Sequence, residues 1–247
     1  MKTSIKILLT SLLLIIVSLV VYDSQLRAEY LQGNFRKPFG DFMPANFRNF
    51  NSIELRSGTA INILVTEGPY KVLVDPEAGD FVKLSKQGDK LIVQAVFNDH
   101  YRYHGNDYTI FISCPNLEIF SSDARYKVND WTVTDTLPNI FEKKATLISG
   151  FNSNNLSITE NNGSNILLEN NHIDTLRVVA GSSYHSGSIL TVGVGNFFDM
   201  ADLIIQNKGT LSIEAPAGNH INYHIADSAR ININGAIYKQ QFKTTQP

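Results

Sequence analysis

Histidine, acidic and cysteine side chains are the groups here that could ligate a metal or move a proton, and their spacing limits what they can do. His220 and His224 lie four apart in HINYHI. On a helix that spacing puts both imidazoles on one face; in a strand they stand about 13 Å apart at ~3.3 Å per residue. The flanking apolar alternation predicts a strand, so no chelate is expected. His100 and His104 fall in the expected loop NDHYRYHGND, and no metal site is placed there either. A calcium-dependent polysaccharide lyase needs clustered acids with a base beside them. No Asp-x-Asp phrase occurs, and Asp199 and Asp202, three apart, would point to opposite faces of a strand. Asp130 and Asp135 flank Trp131 in an expected loop. A glycosidase needs two carboxylates across a cleft, and the 23 scattered acidic residues single out no such pair. No Gly-x-Ser-x-Gly phrase marks a nucleophile. Cys114, in ISCPNL, reads as a buried small hydrophobe. The chain is therefore expected not to be an enzyme and to carry neither metal nor cofactor.

Binding chemistry is better represented. The segment Phe97–Tyr108, FNDHYRYHGNDY, holds Tyr101, Tyr103, His104 and Tyr108 among Asn and Asp residues. A pyranose has an apolar face and a hydroxyl rim. Aromatic faces and planar polar side chains match both, and Tyr supplies area and a hydroxyl at low entropy cost. Trp131, the single tryptophan, follows in YKVNDW. Tyr101, Tyr103, His104, Tyr108 and Trp131 are the expected ligand-contacting residues. The plainer alternatives are tyrosines packed on the flank of the fold and a tryptophan capping its end.

The elements that must position these residues are strands. After residue 50 no segment keeps a 3.6-residue period, whereas period two recurs in Ile61/Ile63/Val65, Tyr70/Val72/Val74 and Leu91/Val93/Ala95. Gly58, Gly68-Pro69 and Gly88-Asp89 punctuate them as turns. In the second half, apolar pairs begin at Leu156, Ile166, Leu176, Leu190, Leu203, Leu211, Ile221 and Ile231, mostly about ten residues apart. Most steps end in Asn or Gly, the residues that enter the left-handed region cheaply. Strand, sharp corner and strand again predict an all-β β-helix or solenoid spanning 51–247, with a β-sandwich as the alternative.

Ahead of it, Ile7–Tyr22 is an uncharged run preceded by Lys2 and Lys6. Some 18 residues of helix span about 27 Å, close to the ~30 Å hydrocarbon core. Small residues suited to signal cleavage are missing at its end. Residues 5–22 are expected to be an uncleaved single-pass membrane anchor within segment 1–28, with 29–247 in the periplasm or at the cell surface; a signal segment is the alternative. Residues 29–50, broken by Pro38, Pro44, Gly33 and Gly40, read as a linker. Composition narrows the partners further. With 21 basic against 23 acidic residues and a net charge of −2, no nucleic acid is expected.

The phrases Phe50 to Leu55, Gly68-Pro69-Tyr70-Lys71-Val72 and Gly88-Asp89-Lys90-Leu91-Ile92-Val93 carry a resemblance. So do Asn165 to Leu168, Gly209 to Ile213 and Asn234-Gly235. Over roughly residues 47–236 the chain resembles the bacterial auto-transporter adhesin "head GIN domain" family. The resemblance implies a right-handed β-helix in an exported protein of Bacteroidetes-type bacteria, with an adhesive or carbohydrate-binding role. The apparent anchor departs from a secreted adhesin. The function expected is a membrane-anchored extracytoplasmic binding module, adhesive or glycan-contacting. A structural or partner protein of a cell-envelope complex comes second, and a carbohydrate-active enzyme last.

Overall fold

The structure, a computed structural model, describes residues 3–33, 38–98, 108–138, 145–233, 235, 237 and 238. The chain forms two compact units, Met1–Phe42 and Met43–Pro247.

The first unit is dominated by helix α1 (Thr3–Gln32). Its stretch Ile5–Ala28 is long and apolar enough to cross a membrane, about 36 Å at 1.5 Å per residue. The consecutive residues Leu12, Leu13, Leu14 and Ile15 point in four directions, yet all are 50–65% exposed. The apolar surface therefore runs all round rather than along one stripe, unlike the face of a helix packed on a core. The Thr10, Ser11 and Ser24 hydroxyls donate to the carbonyls of Lys6, Leu8 and Val21, so the helix satisfies its own polar groups.

The second unit is all-β. Its strands, in chain order, are β1 (Met43–Ala45), β2 (Ser52–Leu55), β3 (Ile63–Glu67), β4 (Lys71–Val74), β5 (Val82–Gln87), β6 (Lys90–Phe97), β7 (Ile110–Cys114), β8 (Ile119–Ser122), β9 (Arg125–Val128) and β10 (Trp131–Thr134). Then come β11 (Thr146–Ser149), β12 (Asn152–Glu160), β13 (Asn165–Glu169), β14 (His172–Ala180), β15 (Ile189–Val192), β16 (Phe197–Ile205), β17 (Thr210–Ile213), β18 (Gly218–Ile225) and β19 (Arg230–Ile233). They make two large mixed sheets. One runs β1-β4-β7-β3-β11-β13-β15-β17-β19, the other β10-β9-β6-β2-β8-β12-β14-β16-β18, with β5 beside β6. Met43–Ala45, inside the expected linker, is thus a strand, paired antiparallel with β4.

From β11 onward consecutive strands lie in different sheets, and each pairs in parallel with the strand two further on. Ile158 sits opposite Val178, Val178 opposite Leu203, and Leu203 opposite Tyr223. Residues of like kind therefore stack in columns across both sheets. Ile53, Phe120, Ile158 and Val178 are fully buried along one such column. The corners between sheets use the left-handed backbone that Asn tolerates: Asn162, Asn170 and Asn207 have φ of 53°, 54° and 50°.

Among the buried polar groups that interrupt the aliphatic columns, two features stand apart. At one corner Asn171 and Asn196 stack. Asn196 Nδ2 donates to the carbonyls of Leu168 and Gly193 at 2.7 and 3.0 Å, and its Oδ1 accepts from Asn171 Nδ2 at 3.0 Å. These amides bond backbone groups at the turn: the Gly193 carbonyl and the Leu168 carbonyl, which also accepts from Gly193 N. The second feature is Glu160, the last residue of β12. It lies between Ser122 and Ala180 in an inward column, fully buried, and neither carboxyl oxygen has a hydrogen-bond partner among the described residues. Burial pushes its pKa well above the ordinary carboxyl value.

Candidate functional site

The outward face of the second sheet carries a groove of about 420 Å³ between strands β2, β8 and β12 and the β9–β10 hairpin. Strand periodicity builds it. Leu55 and Ala124 are buried, so their sequence neighbours on either side, Glu54/Arg56 and Asp123/Arg125, point outward into the groove. Backbone bonds lock the two acid-x-Arg phrases together. Asp123 N donates to the Leu55 carbonyl and Arg125 N to the Arg56 carbonyl, each at 2.8 Å.

Each phrase makes an internal ion pair through the arginine Nε. Arg56 Nε donates to Glu54 Oε1 at 2.6 Å, and Arg125 Nε lies 3.0 Å from Asp123 Oδ2. The second oxygen of each acid is also engaged: Glu54 Oε2 accepts from Lys90 Nζ at 3.1 Å, and Asp123 Oδ1 accepts from Asn162 Nδ2. All four carboxylate oxygens are occupied by this chain's own donors. The terminal nitrogens of both guanidinium groups, by contrast, bond to no other group among the described residues, and neither does the exposed Lys127. Burial raises the pKa of Glu54, but hydrogen bonds from Arg56 and Lys90 and their charges outweigh it. The net shift is downward, so the group stays ionised at neutral pH.

Neutral hydrogen-bonding groups complete the wall, among them Gln94, Ser121, Thr132 and Thr159. Tyr126 also lines it and meets Phe97 edge-on with ring centroids 5.8 Å apart. Near its turn the hairpin pairs with the sheet through Lys127 and Val128, opposite Val96 and Phe97 of β6, and at its base Arg125 N donates to the Arg56 carbonyl. Asn129, at φ 52°, turns the hairpin and donates its N–H to the Phe97 carbonyl at 2.7 Å.

Trp131, expected in a loop or as a cap, instead opens strand β10 opposite Val128 and is 79% exposed. Tyr108 is half-buried ahead of β7, in the other sheet. Tyr101, Tyr103 and His104 lie outside the described residues, as does His100. The structure thus places Trp131 in the β9–β10 hairpin but not in the groove lining, and leaves Tyr108 ahead of a strand of the other sheet. Reasoning from sequence missed Glu54, Arg56, Asp123 and Arg125. The signal for them was the repeated acid-x-Arg phrase, ELR and DAR, one residue of each kind to a strand face.

Among the described residues no three His, Cys, Asp or Glu side chains converge as metal ligands. His220 and His224 share strand β18, and His224 Nε2 lies 2.9 Å from Asp202 Oδ1 on β16. Cys114 is buried, and burial first, then the charge of Glu67, pushes its thiol up to about 12 despite an opposing hydrogen bond from the Asn116 backbone.

No protein-family model and no curated protein matches the chain. Among solved structures it is similar to a "putative adhesin" from Parabacteroides distasonis ATCC 8503, at 13% identity over 77% of this chain and 71% of that one, with a TM-score of 0.46. It is also similar to a "putative adhesin" from Bacteroides fragilis NCTC 9343, at 14% identity over 78% and 96% of the two chains, TM-score 0.45. A third is a "putative lipid binding protein" from Parabacteroides distasonis ATCC 8503, at 12% identity over 77% and 92%, TM-score 0.39. Likenesses this distant carry no argument about the activity of this chain.

Proposed function

We propose that the chain is a non-catalytic binding module, adhesive or glycan-contacting, held at the cell membrane by α1 with residues 29–247 outside the cytoplasm. The observation that carries this reading is the groove on the second sheet, where every carboxylate oxygen of Glu54 and Asp123 is already taken by the chain's own donors. A glycosidase needs one carboxyl protonated and facing the substrate; Glu54 is instead held ionised by Arg56 and Lys90. What remains unpaired in the groove, among the described residues, are the terminal nitrogens of Arg56 and Arg125, the Lys127 ammonium and the Thr132 and Thr159 hydroxyls, the equipment of recognition rather than of proton transfer. The all-round apolar surface of α1 and the lysines at its N-terminal end, Lys2 and Lys6, support a membrane anchor with a cytoplasmic N-terminus.

The scaffold we infer is a right-handed β-helix, in keeping with the sequence resemblance to the adhesin head GIN domain family. In its support, β12, β14, β16 and β18 pair in parallel while the chain alternates between sheets, and parallel crossovers are right-handed in about 98% of cases.

The test is retention of the full-length chain, in nanodiscs, on a broad array of bacterial and plant glycans, reading bound protein and released sugar together. Retention without release is expected. Sugar release would overturn the non-catalytic reading. The variant Trp131→Ala should weaken retention, because the exposed indole on the β9–β10 hairpin, although outside the groove lining, is suited to stack on a sugar face.

A second reading, a partner protein of an envelope complex, rests on exposed Phe197, Met200 and Val194 in and just before β16. Silence on every glycan, with a stable partner recovered from envelope membranes, would favour it.

A further inference from the structure

We propose that the groove on the second sheet takes an acidic saccharide, one whose rings bear carboxylate or sulfate, gripped by Arg56, Arg125 and Lys127. This rests on the binding-module reading and names its ligand class. Uncommitted hydrogen-bonding valence decides the sign of the ligand's charge. Two carboxylates in and beside the groove face four basic side chains, Arg56, Lys90, Arg125 and Lys127, and both carboxylates are fully engaged within the chain. A cationic ligand would meet two acids whose every oxygen already accepts from a basic or amide group of the chain. An anionic one would find two guanidinium groups, each clamped by its Nε so that the terminal nitrogens are presented in a fixed orientation. That geometry suits forked recognition of a planar carboxylate or of a sulfate. The clamp also lowers the ordering cost of binding, because the side chains are already held.

The neutral lining selects a saccharide among anions. Ser121, Thr132 and Thr159 offer hydroxyls and Gln94 a planar amide, groups that exchange hydrogen bonds with a hydroxyl rim, while Tyr126 offers a ring face. A volume of about 420 Å³ lies within the ordinary range for small-ligand sites, roughly 300–1,000 Å³.

The experiment uses the full-length chain in phosphatidylcholine nanodiscs on immobilised polygalacturonate, dextran sulfate, neutral dextran and polyglutamate. Expected is retention on polygalacturonate or dextran sulfate, whichever carries the preferred anion, with at least roughly tenfold less on neutral dextran and on polyglutamate. Retention should fall steeply with salt. Arg56→Gln with Arg125→Gln should lower it at least roughly tenfold. Lys127→Gln, which breaks no internal bond, should lower it as well with an unchanged thermal unfolding transition. Equal retention on polyglutamate, or retention indifferent to all three substitutions, would overturn the proposal. Retention on neutral dextran alone overturns it while leaving a binding module. Retention on no saccharide overturns both.

Discussion

The backbone N–H of Arg125 donates to the carbonyl oxygen of Arg56 at 2.8 Å, which sets two arginines 69 positions apart on adjoining backbone over one groove. Each brings its own acid two residues earlier, so the bond joins two pre-assembled ion pairs rather than two free cations. Surface pairs of this kind contribute little to stability, about 0–1 kcal/mol each. Their consequence is geometric: they fix where the unengaged guanidinium nitrogens point.

The buried carboxyl of Glu160 makes stability depend on pH in a definite direction. Its pKa in the fold lies well above its unfolded value of about 4.3. The folded state therefore holds this proton more tightly. The contribution is complete below about pH 4.3 and is lost as pH rises toward the folded-state value. Urea unfolding of the wild type and of Glu160→Gln at pH 5 and pH 8 should show a smaller loss between the two in the variant. Glu160→Leu should be more stable than wild type at pH 8 by about 1 kcal/mol or more, since an apolar side chain removes two unpartnered buried oxygens. Identical pH dependence in wild type and Glu160→Gln would sink the raised pKa there.

Asn196 holds its corner by donating to two carbonyls and accepting from Asn171. Asn196→Ala removes the amide that bonds the Gly193 carbonyl and accepts from Asn171, and leaves the Leu168 carbonyl with Gly193 N; it should cost about 1–3 kcal/mol in urea unfolding. A loss below about 0.5 kcal/mol would mean that the corner closes without its amide.

Retention of α1 distinguishes an anchor from a cleaved signal. Intact mass of protein extracted from membranes with detergent should include residues 5–22. The variant Leu14→Arg, in the middle of the apolar run, should release much of the protein from the membrane fraction, because a central arginine costs about 2.5–3.5 kcal/mol of insertion. A mature mass lacking these residues would overturn the anchor.

Much of the architecture was legible in local pattern. Period two named the strands, because a side chain's face on a strand depends only on whether its position is odd or even. Asn162, Asn170 and Asn207 sit at corners because a left-handed backbone is a local preference. The uncharged run of α1 is likewise a property of consecutive residues. The aromatic segment around Tyr101 and Tyr103 drew notice by composition, yet composition could not say what lies against it.

The groove depended on register, which no local pattern contains. ELR and DAR each predict an acid and an arginine on one face, but only the pairing of β2 with β8 sets Arg56 beside Arg125. The same holds inside. Glu160 reads as an ordinary charged residue at a strand end, and only its place between Ser122 and Ala180 makes it buried, with its pKa pushed up. The sequence by itself determined the strands, the corners and the apolar helix, because these follow from each residue's own backbone preference and the polarity of its near neighbours. The tertiary structure alone decided which carboxylates are paired, which is buried and which arginines meet. Those outcomes depend on contacts between residues tens of positions apart, and on the desolvation and Coulomb energies that exist only once the sheets are assembled.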